Sequence, residues 1–290
     1  MTGHDREYTF QSDYRYTGDG FAVTTSASNM TPLIGADEPA PVETVCEDPA
    51  YPVLLVCDHA SNRIPASLDG LGVSPVDVQT HFALDIGAAD ICRHLSRRLG
   101  LPAVLAAYSR LVVDCNRALT DSSAFPRCLE QILVPGNQVL DHGARKARAD
   151  ALYWPYHHAV REQLQRLASD DRVPALIAIH SFTRVFENRE RPWHIGILWD
   201  KDPRIPVPLI DALSAVDGVV VGDNEPYSGK HPHDFTVDHH AEAEGLAHVS
   251  IEIRQDLIET PEGVAHWGDL LSEALAPILA GPGMYECWTV

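Results

Sequence analysis

Apolar segments of strand length alternate along this chain with longer segments of helical periodicity. Residues 175–180 are apolar at five of six positions, which is typical of a strand buried on both faces of a sheet. Residues 85–100 instead repeat isoleucine and leucine at helical spacing and end on glycine, as an amphipathic helix does. The alternation predicts an α/β fold with a mostly parallel or mixed central sheet and helices on both faces. Further strands are predicted at residues 52–57, 102–106, 111–114, 194–199, 218–221 and 248–253, and further helices at residues 143–168, 208–215, 237–244 and 261–279.

The domain organisation follows from where this alternation begins. Residues 1–48 are rich in Gly, Thr, Ser, Pro and Asp and show no sustained periodicity, which predicts an irregular arm. Residues 49–290 are long enough and apolar enough to form one hydrophobic core. We therefore expect a single α/β domain over residues 49–290.

Polar side chains stand near the carboxyl ends of three predicted strands. Asp58 and His59 follow the first, His180 ends the second, and Glu252 lies late in the third. Ligands of open α/β sheets bind outside the carboxyl ends of the strands, so tertiary structure could bring these groups together. Two imidazoles and a carboxylate form a donor set that Zn²⁺ takes. The alternative is that each histidine makes only a hydrogen bond in its own loop.

Glu252 lies inside the apolar sequence Val-Ser-Ile-Glu-Ile, where a carboxylate needs a partner because burying an unpaired charge is costly. An ion pair with Arg254 would provide one, although side chains two positions apart on a strand diverge. Water at a metal ion would provide another.

A further polar cluster follows the apolar residues 111–113. Arg117 beside Asn116 could hold a carboxylate through its planar fork and an amide donor. Asp114 could orient either Arg110 or Arg117. A salt bridge that closes the junction between strand and loop is the structural alternative.

Charge and cysteine content narrow the class of protein. The chain has 22 Lys+Arg against 41 Asp+Glu, a net charge of −19, and no basic block. Nucleic acid and anionic membranes are therefore poor partners, and arginines grouped near a site become more informative. The six cysteines have no C-x-x-C spacing and the N-terminus lacks a signal-peptide pattern, so we expect reduced thiols and a cytoplasmic protein. No apolar run of the chain approaches the ~18 residues of a membrane helix.

Several of these segments resemble the N-formylglutamate amidohydrolase family, within the superfamily of zinc carboxypeptidases and aspartoacylases. Residues 179–182 and 250–254 are similar to the second-histidine and catalytic-glutamate strands of zinc carboxypeptidases, and residues 114–117 to the D-x-N-R substrate-carboxylate motif of aspartoacylases. The resemblance covers roughly residues 52–279. The blocks that match the family are Asp58-His59-Ala-Ser, Asp85-Ile-Gly-Ala, Ser109-Arg110-Leu-Val-Val-Asp-Cys-Asn-Arg117, Asn224-Glu-Pro-Tyr227-Ser-Gly229 and Glu252-Ile-Arg254-Gln-Asp256-Leu.

The resemblance implies a zinc-carboxypeptidase-like fold and hydrolysis of N-formyl-L-glutamate to formate and L-glutamate, as in histidine degradation. It also implies one Zn²⁺ ion per chain, or another divalent metal, with His59 and His180 as ligands. Zinc carboxypeptidases take a further ligand from H-x-x-E, but Asn62 stands three residues after His59. The third ligand is therefore Asp85, Asp58 or Asn62. We favour Asp85 because a carboxylate restores the missing charge, although capping the following helix is the commoner use of aspartate there.

The resemblance also implies roles for the remaining residues. The metal would polarise the formyl carbonyl and lower the pKa of its water. Glu252 would be the general base, and Tyr227 a hydrogen-bond donor that closes over the site, unless its loop is simply an exposed turn. The substrate carboxylates would be held by Arg117 and Asn116, together with Arg110 or Arg254.

Other functions remain open from the sequence. The chain could be a zinc deacylase of another N-acyl amino acid, or a protein that binds acidic amino acids without catalysis. A mononuclear iron oxygenase also uses two histidines and a carboxylate. The usual H-x-D spacing is absent around His59 and His180, however, and the α/β pattern differs from a jelly roll. The oligomeric state is open as well, and a homo-oligomer is compatible with the sequence.

Overall fold

Seven segments pair into one central sheet in a computed structural model that describes residues 32–45, 49–129, 132–169, 172–230, 234–281 and 283–288. The strands are β1 (Val42–Val45), β2 (Val53–Cys57), β3 (Ala103–Ala106), β4 (Ala175–Phe182), β5 (Ile195–Leu198), β6 (Val221–Asp223) and β7 (His248–Arg254). Two short hairpins lie outside this sheet: Cys128–Leu129 pairs with Ile132–Leu133, and Val185–Phe186 pairs with Arg189–Glu190.

The order of strands across the sheet is β1-β3-β2-β4-β7-β5-β6. Four neighbouring pairs run parallel, whereas β1 is antiparallel to β3 and β5 is antiparallel to β7. The predicted α/β fold with a mixed sheet is therefore confirmed. Because β2, β4 and β7 are adjacent and parallel, His59, His180 and Glu252 lie toward the same edge.

Helices cover both faces of the sheet, as predicted. They are α1 (Ala88–Leu99), α2 (His142–Arg148), α3 (Trp154–Leu167), α4 (Pro206–Ser214), α5 (Phe235–His240) and α6 (Pro261–Leu279), with a π-helical turn, Ala149–Tyr153, between α2 and α3. Alternate residues of β2 enter two cores: Val53 and Leu55 pack with α1 and α6, and Leu54 and Val56 pack with α3. Of the helices in the described part of the chain, none has the length and apolarity needed to cross a membrane.

The strand predicted at residues 111–114 is wrong, because this segment forms turns. Its apolar side chains, including Leu111 and Val112, are fully buried. The backbone bonds locally: the amide of Val112 donates to the carbonyl of Ser109, and the amide of Asp114 donates to that of Ala124. Burial without strand pairing produces the same apolar signature as a strand.

The predicted irregular arm is wrong at residues 42–45, which form the edge strand β1. Val42 lies opposite Ala106 and Val45 opposite Ala103 in an antiparallel register. The outer edge of β3 would otherwise leave its backbone donors and acceptors unpaired, and β1 satisfies them. Residues 1–31 and 46–48 of the predicted arm lie outside the described residues.

Two glycines with positive φ allow the cost of backbone strain to be compared with the cost of close packing. Gly87 has φ +79° and precedes α1, and an added Cβ would lie 2.3 Å from the carbonyl oxygen of Ile258. Gly218 has φ +78° but no neighbouring atom within 4 Å of an added Cβ.

We expect Gly218→Ala to lower the free energy of unfolding by about 1–2 kcal/mol, and Gly87→Ala to lower it by about 1–3 kcal/mol more. Urea denaturation measures both losses, and equal values would show that the contact with Ile258 is unimportant.

Candidate active site

His59 and His180 lie side by side at the carboxyl edge of the sheet. His59 follows β2, and His180 lies in β4, which pairs with β2 in parallel. The two rings are 5.2 Å apart between centroids, and both side chains are buried. The strand continues past His180 to Phe182, so His180 projects from within the strand and not from its last position.

Asp85 connects the two histidines. Its Oδ2 lies 2.9 Å from Nδ1 of His180 and 3.2 Å from Nδ1 of His59. Two ligands that lie ~2.0 Å from a tetrahedral zinc ion are about 3.3 Å from each other. These three residues therefore have the spacing that one metal ion requires. The alternative use of Asp85 as a helix cap is not seen, because Gly87 directly precedes α1 and no side chain caps it.

Each histidine has another carboxylate behind it. Nε2 of His59 lies 2.9 Å from Oδ1 of Asp114, and Nε2 of His180 lies 3.4 Å from Oδ2 of Asp58. Both aspartates are buried. A carboxylate behind an imidazole fixes the tautomer and raises the basicity of the nitrogen that binds a metal. The Nδ1 atoms of both rings face Asp85.

Three carboxylates lie beside two histidines and Arg110 at this centre. Burial by itself would raise the pKa values of Asp58, Asp85 and Asp114. Their contacts with the histidines, and that of Asp114 with Arg110, nevertheless hold all three pKa values below the usual range. Ionised carboxylates around two imidazoles suit a cation, so the donor set fits a divalent metal.

The other candidates for the third ligand are placed differently. Asn62 donates its amide hydrogens to a nearby loop and lies outside the cluster. Asp58 faces the far nitrogen of His180, where Asp234 completes a second group that could hold a metal ion. An oxygen of Asp234 is already used to cap α5. Asp85 is therefore the carboxylate that lies between both histidines.

Glu252 is a carboxylate without a partner beside this cluster. It lies directly opposite His180 in the parallel register of β7 and β4. Its Oε2 is buried and accepts no hydrogen bond from the described residues. Burial raises its pKa to about 8, with His180 opposing and Asp85 reinforcing the shift. A carboxyl group with such a pKa can take and return a proton near neutral pH.

The predicted substrate-binding arginines have different surroundings. Arg110 lies in the centre: Nε and Nη2 donate to Oδ2 of Asp114 at 3.1 and 2.7 Å, and Nη1 is 3.8 Å from Oδ1 of Asp85. Arg254 instead pairs with Asp256 at 2.7 Å. The ion pair between Arg254 and Glu252 that the sequence left open is not formed.

Asn116 and Arg117 extend the same loop as Asp114. Oδ1 of Asn116 accepts from the backbone amide of Thr236 at 2.9 Å, and Nη1 of Arg117 donates to the carbonyl of Asn116 at 2.8 Å. The backbone amide of Asn116 donates to Oδ1 of Asp114, the oxygen that also contacts His59. The D-x-N-R loop thus orients a histidine, a role that its sequence does not indicate.

Arg191 is a residue of this region that no sequence signal marks. Its Nη1 donates to the hydroxyl of Tyr227 at 3.1 Å, and its guanidinium lies over the Tyr227 ring at 4.9 Å. Burial, and then the charge of Glu252, raise the pKa of Tyr227. Arg191 stands in the polar sequence Arg-Glu-Arg, which is typical of an exposed loop, yet the residue is buried.

Comparisons with known proteins identify the family of this chain. The family model described as N-formylglutamate amidohydrolase matches residues 51–259. The chain belongs to the N-formylglutamate amidohydrolase family. The solved structure of gene product Atu2144 from Agrobacterium tumefaciens is 35% identical, with a TM-score of 0.82 over 86% of this chain and 98% of that one. The N-formylglutamate amidohydrolase from Ralstonia eutropha JMP134 shares the fold at 19% identity, with a TM-score of 0.63 over 83% of this chain and 98% of that one.

The comparison with curated proteins gives no match. Family membership confirms that the chain is an amidohydrolase, a hydrolase of amide C–N bonds. The matched region includes His59, Asp85, His180 and Glu252. The cluster described above therefore lies within the part of the chain that defines the family.

The geometry predicts one divalent metal ion per chain. We expect His180→Ala and Asp85→Asn to lose it, because each removes a donor from the shared centre. Asn62→Ala should keep full occupancy, since Asn62 faces another loop. Metal analysis of dialysed protein measures all three variants, and full occupancy in His180→Ala would contradict the assignment.

Proposed function

We propose that this amidohydrolase removes the formyl group from N-formyl-L-glutamate, releasing formate and L-glutamate, with one Zn²⁺ ion held by His59, Asp85 and His180. The observation that carries the proposal is a carboxylate shared by two histidines, with an unpaired Glu252 opposite one of them. The family supports the substrate, and two nitrogen donors with one oxygen donor support zinc.

The bound metal would supply Lewis acidity at the amide carbonyl. The chain supplies the orientation around it. Asp114, 2.9 Å from Nε2 of His59, would hold the proton of that nitrogen and leave Nδ1 directed at the centre. Asp58 lies 3.4 Å from Nε2 of His180, and neither atom has a hydrogen bond in the described chain.

Glu252 moves the proton in this mechanism. Its carboxylate takes a proton from the attacking water and gives it to the amine nitrogen as the C–N bond breaks, so that formate and the free amino acid leave. No described residue hydrogen-bonds Oε2, so the atom is available for both transfers. The raised pKa matches a group that must accept and then release a proton.

Arg110, Asn116 and Arg117 bind the substrate carboxylates in this proposal, and Tyr227 donates a hydrogen bond from the facing loop. Arg110 is supported by its place beside Asp85. Arg110 and Arg254 each pair with an aspartate, Asp114 and Asp256, so each would offer the substrate only its remaining nitrogen.

Two alternatives have specific weaknesses. A binding protein without catalysis would have no use for a buried, unpaired Glu252, whose burial is costly. An iron oxygenase is disfavoured by the α/β fold and by the amidohydrolase family. A deacylase of another N-acyl amino acid would use the same centre and differ in the substrate it prefers.

A panel of three substrates tests the assignment. We expect kcat/KM to be highest for N-formyl-L-glutamate and lower for N-acetyl-L-glutamate and N-formyl-L-glutamine. The glutamine analogue lacks one carboxylate–guanidinium contact worth on the order of 2–5 kcal/mol, so its value should fall at least about 30-fold. Equal values for the acid and its amide would leave an amidohydrolase with a different substrate.

Glu252→Gln tests the general base. The variant should keep its metal and its melting temperature, because a neutral amide replaces an unpaired buried carboxylate. Turnover should fall by about 10² or more. Glu262→Gln, at an exposed position in the first turn of α6, is the matched control and should have normal activity. Near-normal turnover in Glu252→Gln would remove that residue from the mechanism.

A further inference from the structure

Arg191 is buried among neutral groups. It follows the hairpin of Val185–Phe186 with Arg189–Glu190 and is 8% exposed. Nη1 contacts the carbonyl and hydroxyl oxygens of Thr183 at 3.4 and 3.3 Å and the hydroxyl of Tyr227 at 3.1 Å. The guanidinium also lies over three aromatic rings, those of Phe182, Phe186 and Tyr227, at 4.6–5.8 Å from their centroids.

These contacts leave one edge of the guanidinium unused. Within the described chain, Nε and Nη2 of Arg191 donate to no residue, and neither is among the buried atoms without a partner. The Nε–Nη2 edge is a side on which a carboxylate can accept two hydrogen bonds. Arg93, Arg110 and Arg254 use this same edge for Glu43, Asp114 and Asp256.

Arg148 is a buried arginine with a structural role, and its contacts differ from those of Arg191. Arg148 is also buried and has no carboxylate partner among the described residues. Its guanidinium is occupied on both Nη atoms by oxygens of Val112, Gly136 and Asn137. Arg191 is instead fixed through one nitrogen and keeps a two-donor edge open.

Position connects Arg191 to the proposed catalytic centre. Thr183, which holds it, comes three residues after His180, a rise of about 10 Å along extended chain. Tyr227, its other anchor, comes two residues after Glu225, whose carbonyl oxygen would lie 2.0 Å from an added Cβ at Gly196, and Gly196 lies directly opposite Glu252 in the register of β5 and β7. A substrate whose amide lies at His180 and Glu252 would extend its remaining groups over such a distance.

We propose that Arg191 binds a carboxylate of the substrate through its Nε–Nη2 edge, so that the enzyme requires an anionic N-acyl amino acid. The inference rests on the proposed function and adds a specificity residue to it. The aromatic rings fix the plane of the guanidinium, and no internal acid competes for it among the described residues. In a chain of net charge −19, an uncompensated cation of this kind gives an anionic substrate a local attraction.

Arg191→Met and Arg191→Lys test the proposal with three substrates: N-formyl-L-glutamate, N-formyl-L-glutamine, and the α-amide of N-formyl-L-glutamate. Methionine keeps the packing against the rings, and lysine keeps the charge without the fork. We expect Arg191→Met to raise KM for N-formyl-L-glutamate at least about 30-fold with less change in kcat. The amide substrate that lacks the carboxylate bound by Arg191 should change less than about threefold, which identifies that carboxylate. Lysine should restore only part of the loss.

The control is Arg184→Ala, an exposed arginine paired with Glu190 near the same hairpin, which should leave all three KM values unchanged. Equal losses on all three substrates in Arg191→Met would overturn the proposal, as would no loss on any. If the wild type hydrolyses none of the three, the proposed function fails separately. Calorimetry of L-glutamate binding then decides the inference: weaker binding to Arg191→Met than to wild type supports it, and equal or absent binding overturns it.

Discussion

Buried carboxylates are the constraint on which this structure depends. Asp58, Asp85 and Asp114 lie out of water at one edge of the sheet, where unpaired charges would destabilise the fold. Imidazoles compensate them: Asp85 contacts both His59 and His180, Asp114 contacts His59, and Asp58 faces His180. The contacts with Asp85 bring both Nδ1 atoms to one carboxylate, and a metal ion at the proposed site would replace the protons between them.

Strands and loops contribute different residues to the candidate site. Three adjacent parallel strands place His59, His180 and Glu252 at one edge, because parallel strands all end on the same side of a sheet. The loops before α1 and after β3 then add Asp85 and Asp114. The strands therefore set position and direction, and the loops supply the charge that makes the position chemically useful.

The charged residues around the site differ in whether they have an ionic partner, and this difference indicates their roles. Arg254 is compensated by its own neighbour Asp256, which makes it part of the strand end. Arg110 is compensated by Asp114 and thereby belongs to the histidine framework. Glu252 and Arg191 have no ionic partner in the described chain. In the proposed function Glu252 is the general base, and Arg191 binds an anionic group of the substrate. A substrate that carries both an amide and a carboxylate complements these two residues.

The sequence by itself determined the α/β class, the strands that carry the histidines and the family blocks, because hydrophobic periodicity and short motifs are local properties of the chain. It did not distinguish a strand from a buried turn at residues 111–114, since both bury apolar side chains. Nor did it indicate that β1 pairs with β3, and it left two uses of Asp85 open, a place beside His59 and His180 and a cap of α1. Arg191 stands in the polar sequence Arg-Glu-Arg, which does not indicate that its side chain is buried. Charge compensation joins residues far apart in the chain, so tertiary structure alone decided which acids were paired and left the Nε–Nη2 edge of Arg191 without a partner among the described residues.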